Sequence, residues 1–196
     1  MGIFDQQWWN ENVARYGLTA AAAHQSEWST ARRFRFLRSI LSEQAVVMDV
    51  GSGVGLLNLR EGPFRRYFAV DFSQKALDLC SADGKLLASL PDDLDKVVEF
   101  ARLNDVDWTV CCGLTTGSVF HSGIRRIVEP LYEASRVGLV VNFRNSLVIQ
   151  EEGLFGSAPG VVLEDLSDLC PSLDQHVLPH EFFIVLKHDG WKPCQP

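Results

Sequence analysis

The sequence predicts an α/β protein, a mostly parallel sheet crossed by helices, and three observations support the prediction. Short, continuously apolar runs alternate with amphipathic segments, as expected for buried parallel strands joined by helices. The chain has 196 residues, 46% of them hydrophobic, which suits one domain with a sizeable core. A glycine-rich loop directly follows the first apolar run, so the backbone is expected to turn sharply there.

The chain from about residue 8 to residue 42 is predicted to be helical. It begins with tryptophans, continues through an alanine run at 20–23, and then places Phe34, Leu37 and Leu41 at helical spacing. The basic residues of the last stretch are expected to face solvent or a ligand: Arg32, Arg35 and Arg38.

Strands and helices alternate through the rest of the chain. Strands are expected at about 45–48, 67–70, 85–90, 108–112 and 137–142, with two final strands near residue 176 and at 181–187. Helices are expected from near residue 54, at 73–81, 91–103 and 118–135, and near residue 164. Ser73 suits a helix N-cap because its hydroxyl can accept a hydrogen bond from a free backbone amide. The closing strand pair predicts an antiparallel strand on an otherwise parallel sheet.

Composition argues against several functional classes. A formal net charge of -7 disfavours a nucleic-acid partner. No apolar run approaches the roughly 20 residues of a membrane span. The sequence also does not begin with a basic region followed by an apolar stretch, so we expect a cytoplasmic protein without a membrane partner. The five cysteines include no Cys-x-x-Cys pair, which predicts reduced thiols and no metal site.

The loop after the first strand places glycines at alternate positions, Gly51, Gly53 and Gly55. Without side chains, the backbone can approach a ligand closely. A dinucleotide-binding loop would place its third glycine at position 56, which is Leu56. Asp49, at the end of the strand, would repel a pyrophosphate but is a useful acceptor near a cation.

The second predicted strand also ends in a carboxylate, Asp71, 20 residues after Gly51. A carboxylate in this position can accept hydrogen bonds from both hydroxyls of a ribose, a device that NAD sites share. The alternative is a helix N-terminus that binds no ligand.

Two motifs resemble a known family. Val46-Val-Met-Asp-Val-Gly-Ser-Gly-Val-Gly55 is similar to the first signature motif of the class I methyltransferases that use S-adenosylmethionine (SAM), and Ala69-Val-Asp-Phe-Ser73 is similar to the second. The resemblance covers about residues 45–187. It implies a Rossmann-like, seven-stranded, mostly parallel sheet with an antiparallel last strand and helices on both faces. It also implies SAM as cofactor and S-adenosylhomocysteine (SAH) as product.

The resemblance also suggests roles for particular residues. The glycine loop would pass under the methionine part of SAM, Asp71 would hold the ribose, and Phe72 would flank the adenine. Residues 1–44 would form a helical lid in which Arg33 meets the cofactor carboxylate, ahead of the cofactor-binding core at 45–196. The complete predicted cofactor set is Asp49, Gly51, Ser52, Gly53, Gly55, Asp71, Phe72, Ser89, Leu90, Cys112, Arg33 and Tyr16.

Methyl transfer needs alignment in a dry pocket more than it needs a dedicated base. If the acceptor must lose a proton, the candidate bases are His24 in the predicted lid and His121 after the fourth strand. Both also suit surface or helix-end positions. Several aromatic residues could cover a substrate or pack in the core: Trp8, Trp9, Tyr16 and Trp28.

The leading hypothesis is an enzyme that methylates a small molecule. No Asn-Pro-Pro-Tyr or Asp-Pro-Pro-Tyr element follows the fourth strand, so the signature of nucleic-acid base methylation is absent. The alternative is a SAM-binding interaction or regulatory module without catalysis, and an NAD enzyme is disfavoured by Leu56. No sequence feature specifies the acceptor or the oligomeric state.

Overall fold

The computed structural model describes residues 6–23, 25–112, 123–147, 156–169 and 171–188. One sheet runs in the strand order β3-β2-β1-β4-β5-β7-β6. The strands are β1 (Val46–Val50), β2 (Arg66–Asp71), β3 (Gly84–Leu87), β4 (Trp108–Cys111), β5 (Gly138–Arg144), β6 (Ser172–Leu178) and β7 (Glu181–Lys187). Strands β1 to β5 pair in parallel, whereas β7 is antiparallel to both β5 and β6. The predicted α/β class, mostly parallel sheet and antiparallel last strand are confirmed.

The predicted N-terminal helical stretch is divided into separate helices. It comprises α1 (Gln6–Tyr16), a 3-10 turn (Ala20–Ala23) and α2 (Glu27–Ile40). Helix α1 ends at Gly17, whose φ of 55° is a common conformation for the residue that ends a helix. Helix α2 begins after Ser26, whose side chain accepts a hydrogen bond from the Ser29 amide.

The remaining helices connect the strands. They are α3 (Leu56–Glu61), α4 (Gln74–Leu79), α5 (Leu94–Leu103), α6 (Ile124–Ala134) and α7 (Pro159–Asp165), followed by a 3-10 turn (Ser167–Leu169). Ser73 caps α4 as predicted, accepting a hydrogen bond from the Ala76 amide. Of the helices in these described ranges, none combines the length and the apolar character that a bilayer span requires.

Helices cover both faces of the sheet, which confirms that part of the prediction. Alternate residues of β1 point to opposite faces: Val46 belongs to a buried cluster that includes residues of α5, α6 and α7, and Val47 belongs to one that includes residues of α2, α3 and α4. Both clusters consist of buried apolar side chains. The N-terminal helix α2 is therefore part of the core on the second face, through Phe34 and Leu37.

The end of β3 and the start of α5 differ from the boundaries predicted from the sequence. Strand β3 ends at Leu87, not at residue 90: the Ala88 amide still donates to the Asp71 carbonyl of β2, and the chain then turns. Helix α5 begins at Leu94 and not at residue 91, because Ser89 and Asp93 form a turn closed by hydrogen bonds between them.

Candidate ligand-binding site

The carboxyl ends of β1, β2 and β4 meet at one edge of the sheet. The register pairs Asp49 with Ala69 of β2 and with Val110 of β4. Beyond β1 the amides of Gly51 and Ser52 both donate to the Val70 carbonyl, at 2.8 and 3.1 Å. The glycine loop is thereby fixed to the end of β2.

The three glycines of this loop all adopt positive φ, namely 78° at Gly51, 53° at Gly53 and 76° at Gly55. Residues with side chains rarely adopt this conformation. A Cβ built on Gly55 would lie 2.4 Å from the Cys80 sulfur, whereas one built on Gly53 would meet nothing within 4 Å. Gly55 thus allows α4 to pack against the loop, and Gly53 leaves the backbone open towards the space beside it.

Asp71 is held in a fixed orientation at the end of β2. It is buried, and its carboxylate accepts hydrogen bonds from the Gly53 and Ser73 amides, each at 2.8 Å. Burial raises the pKa of Asp71, while these amides oppose the rise. Each carboxylate oxygen accepts one of these bonds and has a further lone pair for a ligand hydroxyl.

Asp49 is the second buried carboxylate of the site. The Tyr67 hydroxyl donates to its Oδ2 at 2.7 Å. Burial raises the pKa of Asp49 to about 7, the Tyr67 hydrogen bond opposes the rise, and the charge of Asp71 adds to it. Asp49 therefore ionises near neutral pH in the protein without ligand, and a cation beside it would favour the carboxylate.

A cavity lies over this edge of the sheet, between the glycine loop and the N-terminal helices. About 880 Å³ of empty space lies between these elements, the solvent at the open mouth of the cavity included. The described lining residues include two carboxylates and no lysine, arginine or histidine. They are Trp9, Val13, Thr19, Ala22, Ala23, Gln25, Thr30, Phe34, Asp49, Gly51, Ser52, Gly53, Val54, Leu56, Leu57, Asp71, Phe72, Ser73, Ala76 and Cys112.

Seven of the predicted cofactor residues line this cavity together. They are Asp49, Gly51, Ser52, Gly53, Asp71, Phe72 and Cys112. Gly55 belongs to the same loop but packs behind it against Cys80. The shared edge of the parallel sheet brings these residues together although they are far apart in sequence.

Arg33 does not line the cavity; it pairs with a carboxylate of the chain itself. Its Nε donates to Glu181 Oε2 at 2.7 Å and its Nη2 bonds to Oε1 of the same residue. Asn142 donates to Glu181 Oε2 as well, at 3.0 Å. The predicted contact of Arg33 with a cofactor carboxylate is thus replaced by an ion pair buried between α2 and β7.

Three other predicted residues also lie away from the cavity lining. Tyr16 is 39% exposed, with the Arg15 guanidinium over its ring. Ser89 is exposed, and its amide donates to Asp93. Leu90 packs against the other core cluster, on the opposite face of the sheet. The candidate bases His24 and His121 lie outside the described residues.

Some lining residues were not identified from sequence. Gln25 and Thr30 contribute a polar pair to the cavity wall, the Thr30 hydroxyl donating to Gln25 Oε1 at 3.1 Å. Thr30 and Phe34 lie one turn apart on α2 and both line the cavity. Their helical spacing could have indicated a shared face, but no signal in the sequence placed that face over the glycine loop.

Comparison with known proteins supports an assignment of fold. No protein-family model matches the sequence, and no curated protein sequence matches it. Solved structures do match it. The N-methyltransferase NodS from Bradyrhizobium japonicum, in complex with SAH, superposes with a TM-score of 0.61 at 14% identity, over 92% of this chain and 98% of that one.

Two further structures show the same architecture. Magnesium protoporphyrin IX methyltransferase (ChlM) from Synechocystis PCC 6803, with bound SAH, matches with a TM-score of 0.56 at 12% identity, over 86% of this chain and 85% of that one. The small RNA methyltransferase HEN1 matches with a TM-score of 0.58 at 17% identity, over 85% of this chain but only 26% of that one. The chain therefore has the class I SAM-dependent methyltransferase fold.

Proposed function

We propose that the chain is an enzyme that transfers the methyl group of SAM to a small-molecule acceptor. The observation that carries the proposal is the cavity at the carboxyl ends of β1 and β2, where Asp49 and Asp71 are buried beside a glycine loop. Several of the solved structures that share the fold are methyltransferases by name, and some of these hold SAM or SAH.

The residues present fit SAM in three respects. Asp71 offers acceptor lone pairs to the ribose hydroxyls, while its backbone bonds keep it in place. Asp49 offers a carboxylate to the α-ammonium group. Apolar lining residues offer an environment for the adenine, with Phe72 and Leu57 among them. No basic group among the described lining residues would repel a cationic ligand.

When bound, SAM supplies an electrophilic methyl group on a sulfonium. The contribution of the chain is to bind and orient the donor, and to keep water from the reacting centre. Cys112, at the end of β4, lines the cavity, and burial raises the pKa of its thiol to about 12, so it stays neutral. A neutral thiol there does not compete as a nucleophile for the methyl group.

A small-molecule acceptor fits the chain better than RNA does. The net charge is -7, and no basic residue occurs among the described lining residues of the cavity. The small RNA methyltransferase HEN1 matches this chain over only 26% of its own length, so most of HEN1 has no counterpart in this sequence. We place the enzyme in the cytoplasm, where its free buried thiols, such as Cys111, would remain reduced.

The experiment is an assay of methyl transfer. The protein would be incubated with SAM carrying an isotopically labelled methyl group, together with either a fractionated metabolite extract or a pool of small RNA. We expect SAH release and a labelled product in a metabolite fraction, both lost in Asp71→Ala and retained in Asp78→Ala. Asp78 is the control because it is an exposed carboxylate on neighbouring α4. Label in the RNA alone would contradict the proposed acceptor class.

The second candidate function is a SAM-binding module without catalysis. Tight SAH binding with no SAH release from SAM, over all metabolite and RNA fractions, would support this alternative against the enzyme.

A further inference from the structure

Tyr67 lies beneath the proposed cofactor site and is bonded to it. Its hydroxyl donates to Asp49 Oδ2 at 2.7 Å, and both residues are buried, with 1% and 5% exposure. The sheet register explains the contact. Val47 pairs with Tyr67 and Asp49 pairs with Ala69, so Tyr67 and Asp49 are diagonal neighbours on the same face of the sheet.

Tyr67 is held both at its ring and at its backbone. Its ring stacks on Phe64, with the centroids 6.3 Å apart and the planes at 19°. Its backbone amide donates to Asp83 Oδ2 at 2.7 Å. A tyrosine anchored in this way presents its hydroxyl at a fixed point, so the hydrogen bond fixes the orientation of the Asp49 carboxylate.

Asp49 lines the cavity, whereas Tyr67 does not. Within the described part of the chain, the Tyr67 hydroxyl is the sole hydrogen-bond donor to the Asp49 carboxylate. A carboxylate that has one donor retains acceptor capacity for others. The remaining capacity of Asp49 is therefore available to a donor in the cavity.

Among the described residues, no cation compensates the charge of Asp49. The titratable groups that interact with it from the surrounding elements are Tyr67 and Asp71 of β2, Cys80 at the end of α4, and Cys111 and Cys112 at the end of β4. All are neutral or negatively charged at neutral pH. The Tyr67 hydroxyl is the group among them that stabilises the ionised form of Asp49.

We propose that Tyr67 is a positioning residue for the methyl donor: its hydroxyl holds Asp49 as an oriented carboxylate that binds the α-ammonium group of SAM and SAH. The inference rests on the proposed function and deepens it, because it assigns a residue outside the cavity to cofactor recognition. The ammonium group supplies the positive charge that the chain does not.

The proposal predicts proton release on binding. Burial raises the pKa of Asp49 to about 7 in the ligand-free protein, and an ammonium beside it lowers that pKa. Below neutral pH, binding therefore has to remove a proton from Asp49, and affinity falls as the pH falls. Without the Tyr67 hydroxyl the pKa of Asp49 rises further, so the fall in affinity begins at a higher pH.

The test is calorimetric titration with SAH between about pH 6 and about pH 8.5, in two buffers of different ionisation enthalpy so that released protons are counted. Wild type, Tyr67→Phe and Asp49→Asn are compared. Tyr132→Phe is the control because Tyr132 is a buried tyrosine of α6, in the hydrophobic cluster on the other face of the sheet from Tyr67. Methylthioadenosine, which has the nucleoside but no α-ammonium, is the second probe.

We expect wild type to release a proton on binding SAH at about pH 6.5, and we expect Tyr67→Phe to bind SAH roughly tenfold more weakly there but within about twofold of wild type at about pH 8.5. Methylthioadenosine should bind with no proton release, and Tyr132→Phe should resemble wild type. An equal loss at every pH would overturn the proposal in favour of a structural role for Tyr67.

Absence of proton release in wild type would overturn it as well, whether or not the variants fold. Failure of the proposed function is distinguishable from either result, because then neither SAH nor methylthioadenosine would bind.

Discussion

Arg33 and Glu181 form a buried ion pair that joins α2 to the first residue of β7. Two nitrogens of the guanidinium contact the two oxygens of the carboxylate, and the side chains are 6% and 2% exposed. The Arg33–Glu181 pair fixes the second N-terminal helix to the sheet. The other helix of the predicted lid, α1, has a single buried residue, Val13, whereas α2 has several. Helix α1 is therefore held less firmly to the core than α2.

We predict that Glu181→Gln lowers the free energy of unfolding by about 3–5 kcal/mol, because it leaves the Arg33 charge buried without a counterion. The measurement is urea denaturation. Glu43→Gln is the matched control, since Glu43 pairs with Arg38 of the same helix but is 66% exposed. The control should lose less than about 1 kcal/mol. Equal losses in the two variants would contradict the structural importance of the buried pair.

Hydrogen exchange should identify the mobile part of the N-terminal segment. Helix α1 contacts the core through Trp9 packed edge-on against Phe72, a hydrogen bond from Gln6 to the Phe72 carbonyl, and Ser73 bonded to Asn10. We predict that SAH slows exchange more strongly in α1 than in α2, because both helices line the cavity but α2 is already fixed to the core, whereas α1 has a single buried residue. Equal protection of α1 in the free and bound states would argue against α1 as a lid.

The loop glycines should differ in their tolerance of alanine. Gly55→Ala should lower the free energy of unfolding by about 2 kcal/mol or more, because it adds a clash with Cys80 to the cost of positive φ. Gly53→Ala should cost about 1–2 kcal/mol, because only the positive φ is unfavourable there.

Thermal or urea unfolding measures both effects. Gly160→Ala is the control, since Gly160 lies in α7 without positive φ or a close neighbour, and should gain up to about 1 kcal/mol. A loss in the control as large as in Gly55→Ala would show that the loop geometry is not the cause.

Asp49 should make stability depend on pH. Its pKa is about 7 in the folded protein and near its ordinary value of 3.8 in the unfolded chain. Between these values the folded state binds more protons than the unfolded state, so its stability falls as the pH rises. We predict that Asp49→Asn removes this slope and is more stable than wild type at about pH 8 by on the order of 1–3 kcal/mol.

Urea denaturation of the ligand-free protein at about pH 5 and about pH 8 checks this expectation. The same variant should bind SAH more weakly, since its amide does not carry the negative charge that the ammonium group needs. A slope unchanged by the substitution would mean that Asp49 does not titrate in this range.

The backbone features of the site could be predicted from sequence because they depend on local chemistry. Alternate glycines after an apolar run allow positive φ, and a carboxylate at the end of the next strand reaches the same edge of a parallel sheet. The structure places Gly51, Gly53 and Asp71 in one cavity accordingly. Ser73 was identifiable as an N-cap for the same reason.

Contacts between distant elements could not be predicted in this way. A single sequence does not show that Glu181 lies opposite Arg33, because these residues are 148 positions apart and only the order of the strands brings them together. Tyr67 was interpreted simply as part of an apolar run, since its bond to Asp49 depends on the register of β1 against β2. Ser89 and Leu90 lie beyond the end of β3, which comes earlier than the apolar pattern predicts.

The most direct test of the central claim is calorimetric titration of the protein with SAM, SAH and NADH, repeated on Asp71→Ala. We expect SAM and SAH to bind and NADH not to bind, and we expect the substitution to weaken binding at least roughly tenfold, because the ribose hydroxyls lose a charged acceptor. Failure of both SAM and SAH to bind the wild-type protein would contradict the proposed cofactor site.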